Sequence, residues 1–250
     1  IKKDIKMKIK KFLNILLVLF SFHVMPGQAQ DLQVPAGSVI RTANCVITDD
    51  RFSFNDVVER ARTLEFDEND PDSIFFRRPI YTSAGYQENW DLQVALYYPS
   101  YTEMVERRVA DGNNSYGQLP ISCGAAWVVR SIPIGDAADP GDLGIRTAMI
   151  TRRCSYTESS SLQSTYSRFK TASENFSDAG NDVLMAMWVP GLGGNLESNF
   201  DFVLSEVGEE VTERLDMFAN GYSPFRNNAE PAFSCNRPSM WVTSPVYQGN

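Results

Sequence analysis

"NWDLQVALYYPSYTEMVERRVADG", residues 89–112, passes from a strand pattern into a helix pattern, and "NFDFVLSEVGEEVTERLDMFANG", residues 199–221, repeats the passage 110 residues later. Asn89, Asp91, Thr102 and Glu103 recur as Asn199, Asp201, Thr212 and Glu213. In the first copy Leu92, Val94 and Leu96 fall on one face of a strand. Ser100 and Glu103 then have the spacing of a capping box, in which each side chain serves the other's free backbone amide. Two cysteine registers agree with this offset: Cys45 and Cys154 are 109 apart, and Cys123 and Cys235 are 112 apart. "ISCGAAWVV" (121–129) answers "FSCNRPSMWVT" (233–243), each with a Trp-Val after its cysteine. The chain therefore reads as an internal duplication over 39–131 and 145–247. The stretch 132–144, rich in Gly, Pro and Asp without apolar period, reads as its linker.

Each repeat has the same element order. In the first, "SVIRTANCVI" reads as a strand, "SFNDVVERARTLE" as a helix with Phe54, Val57, Val58, Ala61 and Leu64 at helical spacing, and "SIFFRRPIYTS" as a second strand. The opening stretch adds a strand and a helix, and "CGAAWVVRSI" closes the unit. In the second, "GIRTAMITRRCSY", "SLQSTYSRFKTA", "DVLMAMWVPG", "FDFVLSE", "GEEVTERLDMFANG" and "SMWVTSPVY" follow in the same order, with Val211, Leu215 and Phe218 expected inward on the last helix. The fold class is thus α+β, two tandem β-α-β-β-α-β ferredoxin-like repeats, each placing two helices on one face of an antiparallel sheet. Two such units in tandem resemble the dimeric α/β-barrel superfamily, by element order across nearly the whole chain after the leader. The resemblance implies that the two sheets join as a pseudo-dimeric barrel. Two ferredoxin-like domains with separate sheets share the same element order.

Residues 1–29 are expected to be a signal peptide. Lys8, Lys10 and Lys11 precede an apolar run from Phe12 to Val24, and Gly27 and Ala29 suit the positions before a cut. Met7 is the expected start. Export then puts the protein in the periplasm or outside the cell, with no membrane attachment after cleavage. From Gln30 onward there are 17 basic and 30 acidic residues, a net charge of −13. That sign disfavours nucleic acid as a partner, because phosphate backbones are bound by cationic surfaces. In an oxidising compartment four cysteines form disulfides rather than free thiols. Three pairings are open, and the duplication favours Cys45–Cys123 with Cys154–Cys235.

His23 is the only histidine and lies in the leader. Without imidazole the mature chain lacks Ser-His-Asp and Cys-His catalysis and most transition-metal sites. The haem-dependent members of the resembled superfamily use a histidine ligand, so the resemblance does not bring haem here. No cofactor and no metal are expected. "DENDPD" (67–72) lacks the spacing of an EF-hand loop. "GLGGN" (191–195) lacks that of a dinucleotide-binding loop. What remains is an aromatic set with Arg and Asp. Arg77 is mid-strand, Trp90 with Asp91 and Phe200 with Asp201 open the equivalent strands, and Trp188 stands on the strand before Phe200. These six are the candidate ligand-binding residues if the sheets enclose a pocket. No catalytic residue is assigned.

Two functions fit. One is a secreted, disulfide-bonded binding or interaction module without catalytic machinery, its partner a small apolar or aromatic molecule or another protein. The other is implied by the resemblance: a cofactor-independent enzyme, of monooxygenase or isomerase type, acting on an aromatic small molecule. There Asp91, Asp201, Arg77 or Tyr97 would supply acid–base chemistry, and a buried, unpaired carboxylate would be its mark.

Overall fold

The computed structural model describes residues 34–82, 90–110, 118–135, 146–193, 200–225 and 231–249. The expected leader 1–29, Asn89, Asn199 and the linker beyond Gly135 lie outside the described residues. The first repeat runs β1 (Ser38–Ile47), α1 (Phe54–Ala61), β2 (Ser73–Tyr81), β3 (Leu92–Tyr98), α2 (Tyr101–Ala110), β4 (Ile121–Cys123) and β5 (Trp127–Ile134). The second runs β6 (Thr147–Tyr156), α3 (Leu162–Asp178), β7 (Leu184–Gly193), β8 (Phe202–Gly208), α4 (Val211–Ala219), β9 (Phe233–Cys235) and β10 (Ser239–Gln248).

Within each repeat the strands pair as in a ferredoxin-like sheet: β5-β1-β3-β2 in the first and β10-β6-β8-β7 in the second. The two sheets then join through their outer strands, β5 with β7 and β10 with β2, and every pairing is antiparallel. Eight strands close a ring, β10-β2-β3-β1-β5-β7-β8-β6 and back to β10. Two sheets fused into one barrel is the pseudo-dimeric arrangement, and closure leaves none of the eight with an open edge.

Alternation along the strands gives each an outer and an inner face. Outside, Phe54, Val57, Val58 and Ala61 of α1 pack on Val39, Ile74, Phe76, Leu92, Val94 and Leu96. Tyr166 and Phe169 of α3 pack on Met185, Met187, Phe202 and Leu204. The closing strands are exchanged between these cores. Ile132 and Ile134 of β5 lie in the second repeat's core, and Val246 of β10 lies in the first. Inside, Ile40, Ala95 and Val129 are buried with Phe75, Tyr97, Trp127 and Trp188 against them.

Helix starts follow the caps. Ser53 and Asp56 make a reciprocal box at α1, the Asp56 carboxylate accepting from Ser53 N at 2.8 Å. Ser161 and Ser164 do the same at α3. At α2 only half of the expected box forms: Ser100 Oγ accepts from Glu103 N, while Arg107 takes the Glu103 carboxylate. Helix α3 extends past the sequence expectation because its buried stripe continues to Phe176.

The last strand of each repeat is broken into two pieces, β4 with β5 and β9 with β10, and both pieces pair with the first strand. The disulfides fasten the short pieces. Cys45 pairs with Cys123 and Cys154 with Cys235 directly across the ladder, each with a Cα separation of 4.0 Å. They close loops of 78 and 81 residues, worth about 4.5 kcal/mol each on a chain-entropy view.

Candidate ligand site inside the barrel

The pleat of β2 turns Arg77 inward, across from Gln93 on β3. Arg77 is 2% exposed. Its Nη1 donates to Gln93 Oε1 at 3.2 Å and its Nη2 to the Tyr97 hydroxyl at 2.6 Å. The guanidinium carbon lies 4.7 Å from the centre of the Trp188 ring, across the barrel on β7. Gln93 continues the chain, donating from Nε2 to Asn44 Oδ1 at 3.2 Å. The Nε–H of Arg77 has no acceptor, and among the described residues no carboxylate stands within ion-pair distance of it.

Arg77 and Trp188 are one position written differently in the two repeats. Arg77 pairs with Gln93 and Trp188 with Val203, and Gln93 and Val203 are 110 apart. The two halves therefore meet through a cation–ring stack between equivalent residues. A stack of this kind contributes up to about 2 kcal/mol when water is excluded.

Other candidates divide by role. Trp90 stacks on Trp241, with ring centroids 5.5 Å apart and planes 16° from parallel, and Trp241 Nε1 donates to Thr151 Oγ1 at 2.8 Å. Phe200, the counterpart of Trp90, lies under the Arg153 guanidinium at 5.2 Å. Asp91 and Asp201 are exposed, and each clamps the first strand of its repeat. Asp91 Oδ2 accepts from Ile47 N and Asp201 Oδ2 from Tyr156 N, both at 2.7 Å. Their own amides donate to Cys45 O and Cys154 O. Both aspartates thus do identical backbone work at the strand ends.

Register corrects a sequence expectation about the tryptophans. Trp127 pairs with Thr42, and Ser239 pairs with Thr151. The residue equivalent to Trp127 is therefore Ser239, and Trp241 takes the place of Val129. The two Trp-Val pairs are two residues out of step, which keeps both rings on the inner face. Gly193 (φ +69°) explains the glycine run at the end of β7: a Cβ there would meet Ala126 O at 2.7 Å. The acidic stretch 67–72 is a turn, with the Asp70 and Asp67 carboxylates on the Asp67 and Asn69 amides and Asp72 on Arg107.

Among the described residues one carboxylate is buried, Glu206, and it faces the helices rather than the interior. It accepts from Arg152 Nη1 and, at 3.1 Å, from Arg214 Nη1. Arg214 Nε donates to Asn181 Oδ1 at 2.7 Å and Nη2 to Asn181 O at 3.2 Å, and the guanidinium lies 3.9 Å from the Phe176 ring. Burial pushes the Arg214 guanidinium below its usual range, against the pull of Glu206. Helix α4 thus turns Arg214 inward where Phe218 was expected, and Phe218 is 37% exposed.

No protein-family model matches the chain, and no curated protein sequence matches it. Solved structures do. A monooxygenase candidate from Fusobacterium nucleatum matches with a TM-score of 0.50 at 12% identity, over 86% of this chain and 95% of that one. Chlorite dismutase from Candidatus Nitrospira defluvii matches with a TM-score of 0.45 at 11% identity, over 87% of this chain and 94% of that one. At such identities the likeness is one of fold: this chain shares the dimeric α/β-barrel architecture.

Proposed function

We propose that the chain is an exported, disulfide-bonded binding protein that holds a small aromatic molecule inside its barrel. The observation carrying this reading is the inner face itself, where Tyr97 of the first repeat and Trp188 of the second flank Arg77, and Phe75 and Trp127 pack with them on the inner apolar cluster. Apolar and aromatic walls with a few polar anchors are the usual make-up of a small-molecule site. Export is supported by the two disulfides and by the leader pattern. The lone buried carboxylate among the described residues is already held by two arginines, which argues against acid–base catalysis by a free buried acid.

The second reading is a cofactor-independent enzyme on an aromatic substrate. Two observations favour it: the Tyr97 hydroxyl, a proton donor held inside the barrel by Arg77, and the fold shared with a monooxygenase candidate.

Native mass spectrometry of protein recovered from the periplasm or medium tests both. The binding reading expects a mass four hydrogens below the fully reduced chain, restored by reductant, and a small aromatic molecule that is released unchanged. Four free thiols would overturn export, and conversion of the released molecule during aerobic incubation would favour the enzyme.

A further inference from the structure

We propose that the molecule held in the barrel is an anion, a small aromatic carboxylate whose carboxylate group pairs with Arg77. The proposal rests on the barrel-ligand reading above and adds its charge class.

A guanidinium withdrawn from water needs an opposite charge or a full set of acceptors, because its desolvation is otherwise uncompensated. The chain contains its own control. Arg214 is 1% exposed, and Nε, Nη1 and Nη2 each have an acceptor, one of them the Glu206 carboxylate. Arg77 is as deeply buried, yet it has two neutral acceptors, an aromatic face and an idle Nε–H. No acid among the described residues neutralises it. The strand pairing itself does not call for an arginine at this position, since the equivalent residue of the second repeat is Trp188.

The free donors suit a carboxylate. Arg77 Nε–H has room in its bonding for one acceptor, and a planar guanidinium matches a planar carboxylate through paired N–H groups. The Tyr97 hydroxyl accepts from Nη2, so its own proton remains to be donated to the same anion. Phe75 and Trp127 offer apolar surface for the ring that carries the group. The attraction is local, because a mature chain of net charge −13 does not recruit anions at long range.

The test is calorimetric titration of the mature, oxidised chain with benzoate and 2-naphthoate, each against its uncharged amide. At least one carboxylate is expected to bind tenfold or more tightly than its amide. In Arg77→Gln the two should bind alike, because only the carboxylate weakens, and Arg77→Lys should keep part of the preference. Equal binding of acid and amide by the wild-type chain overturns the anion proposal while leaving the aromatic site standing. A preference that survives in folded Arg77→Gln overturns it too. Binding of neither acid nor amide overturns both readings together. The wild-type comparison decides the matter even where a variant fails to fold.

Discussion

Leu96 of β3 and Glu206 of β8 occupy the same place in the two repeats, paired with the equivalent residues Arg41 and Ile150. Leu96 sits in an apolar core, and Glu206 is the hub of a buried ion cluster. The exchange is concerted: Ala43 and Met104 of the first repeat stand where Arg152 and Arg214 stand in the second. Breaking such a cluster by removing one member leaves buried charge uncompensated, whereas replacing the whole of it can be nearly neutral. Glu206→Leu alone should therefore cost about 3–5 kcal/mol, read by denaturant unfolding. Adding Arg152→Ala and Arg214→Met should recover more than half of that loss. Recovery stops short because Asn181 Oδ1, buried beside Arg214, then loses its donor.

The exchange of closing strands predicts that neither repeat folds alone. Ile132 and Ile134 of β5 are buried in the second repeat's core, and Val246 of β10 in the first. Arg62, just after α1, donates from Nε and Nη2 to Pro245 O at 3.0 and 2.8 Å. Residues 34–135 expressed by themselves should be molten or should self-associate, since two copies can exchange β5 as the repeats do. Mixing them with 136–250 should restore a 1:1 complex with cooperative melting. A sharp monomeric transition for 34–135, seen by circular dichroism with sedimentation, would count against the exchanged-strand account.

Element order was legible because each repeat keeps strict local periodicity, and the cysteines fixed its register. Barrel closure was less so. A strand such as "LQVALYY" shows an apolar face in Leu92, Val94 and Leu96, and Gln93 opposite reads as solvent-facing. Closure turns that second face into another interior, where Gln93, Thr42, Thr151, Ser205 and Thr243 are all buried. Polar residues at these inner positions hide the burial from a hydropathy pattern, which is why Gln93 was missed as an Arg77 partner. The pairings β5–β7 and β10–β2 join distant strands through backbone groups and leave no local sequence mark. Phe218 misled for a related reason. Helical spacing nominates it for the core, but a buried Arg214 in the adjacent row is invisible without its partner Glu206, which lies on another element.

Acid sensitivity should include the α1 cap. The Ser53 hydroxyl and then the Ser53 amide hold the Asp56 carboxyl below its usual range. A carboxyl with a depressed folded-state pKa contributes stability that is fully present above its unfolded value, about 3.9. That contribution is lost as pH falls through the lower folded value. Wild type should therefore melt above Asp56→Asn at pH 7, and the two curves should converge as pH falls from about 4 toward 2. A gap that stays constant across this range would show that the charge on Asp56 does not support the cap.

Arg77 should be a cost to the empty protein. Its side chain is buried with an idle donor and no counter-charge among the described residues, so its removal relieves desolvation that Gln93, Tyr97 and Trp188 offset only in part. Arg77→Met keeps the length of the side chain and its apolar packing against Trp188 while discarding the charge. The ligand-free variant should be more stable than wild type by about 1–2 kcal/mol, the pattern of a functional residue held against the stability of its surroundings. Adding a bound aromatic carboxylate should reverse the order, because the anion stabilises only the chain that retains the guanidinium. Thermal melts of both proteins, with and without 2-naphthoate, read the reversal directly. If Arg77→Met is strongly destabilised without ligand, the arginine is a structural brace, and its neutral partners already suffice.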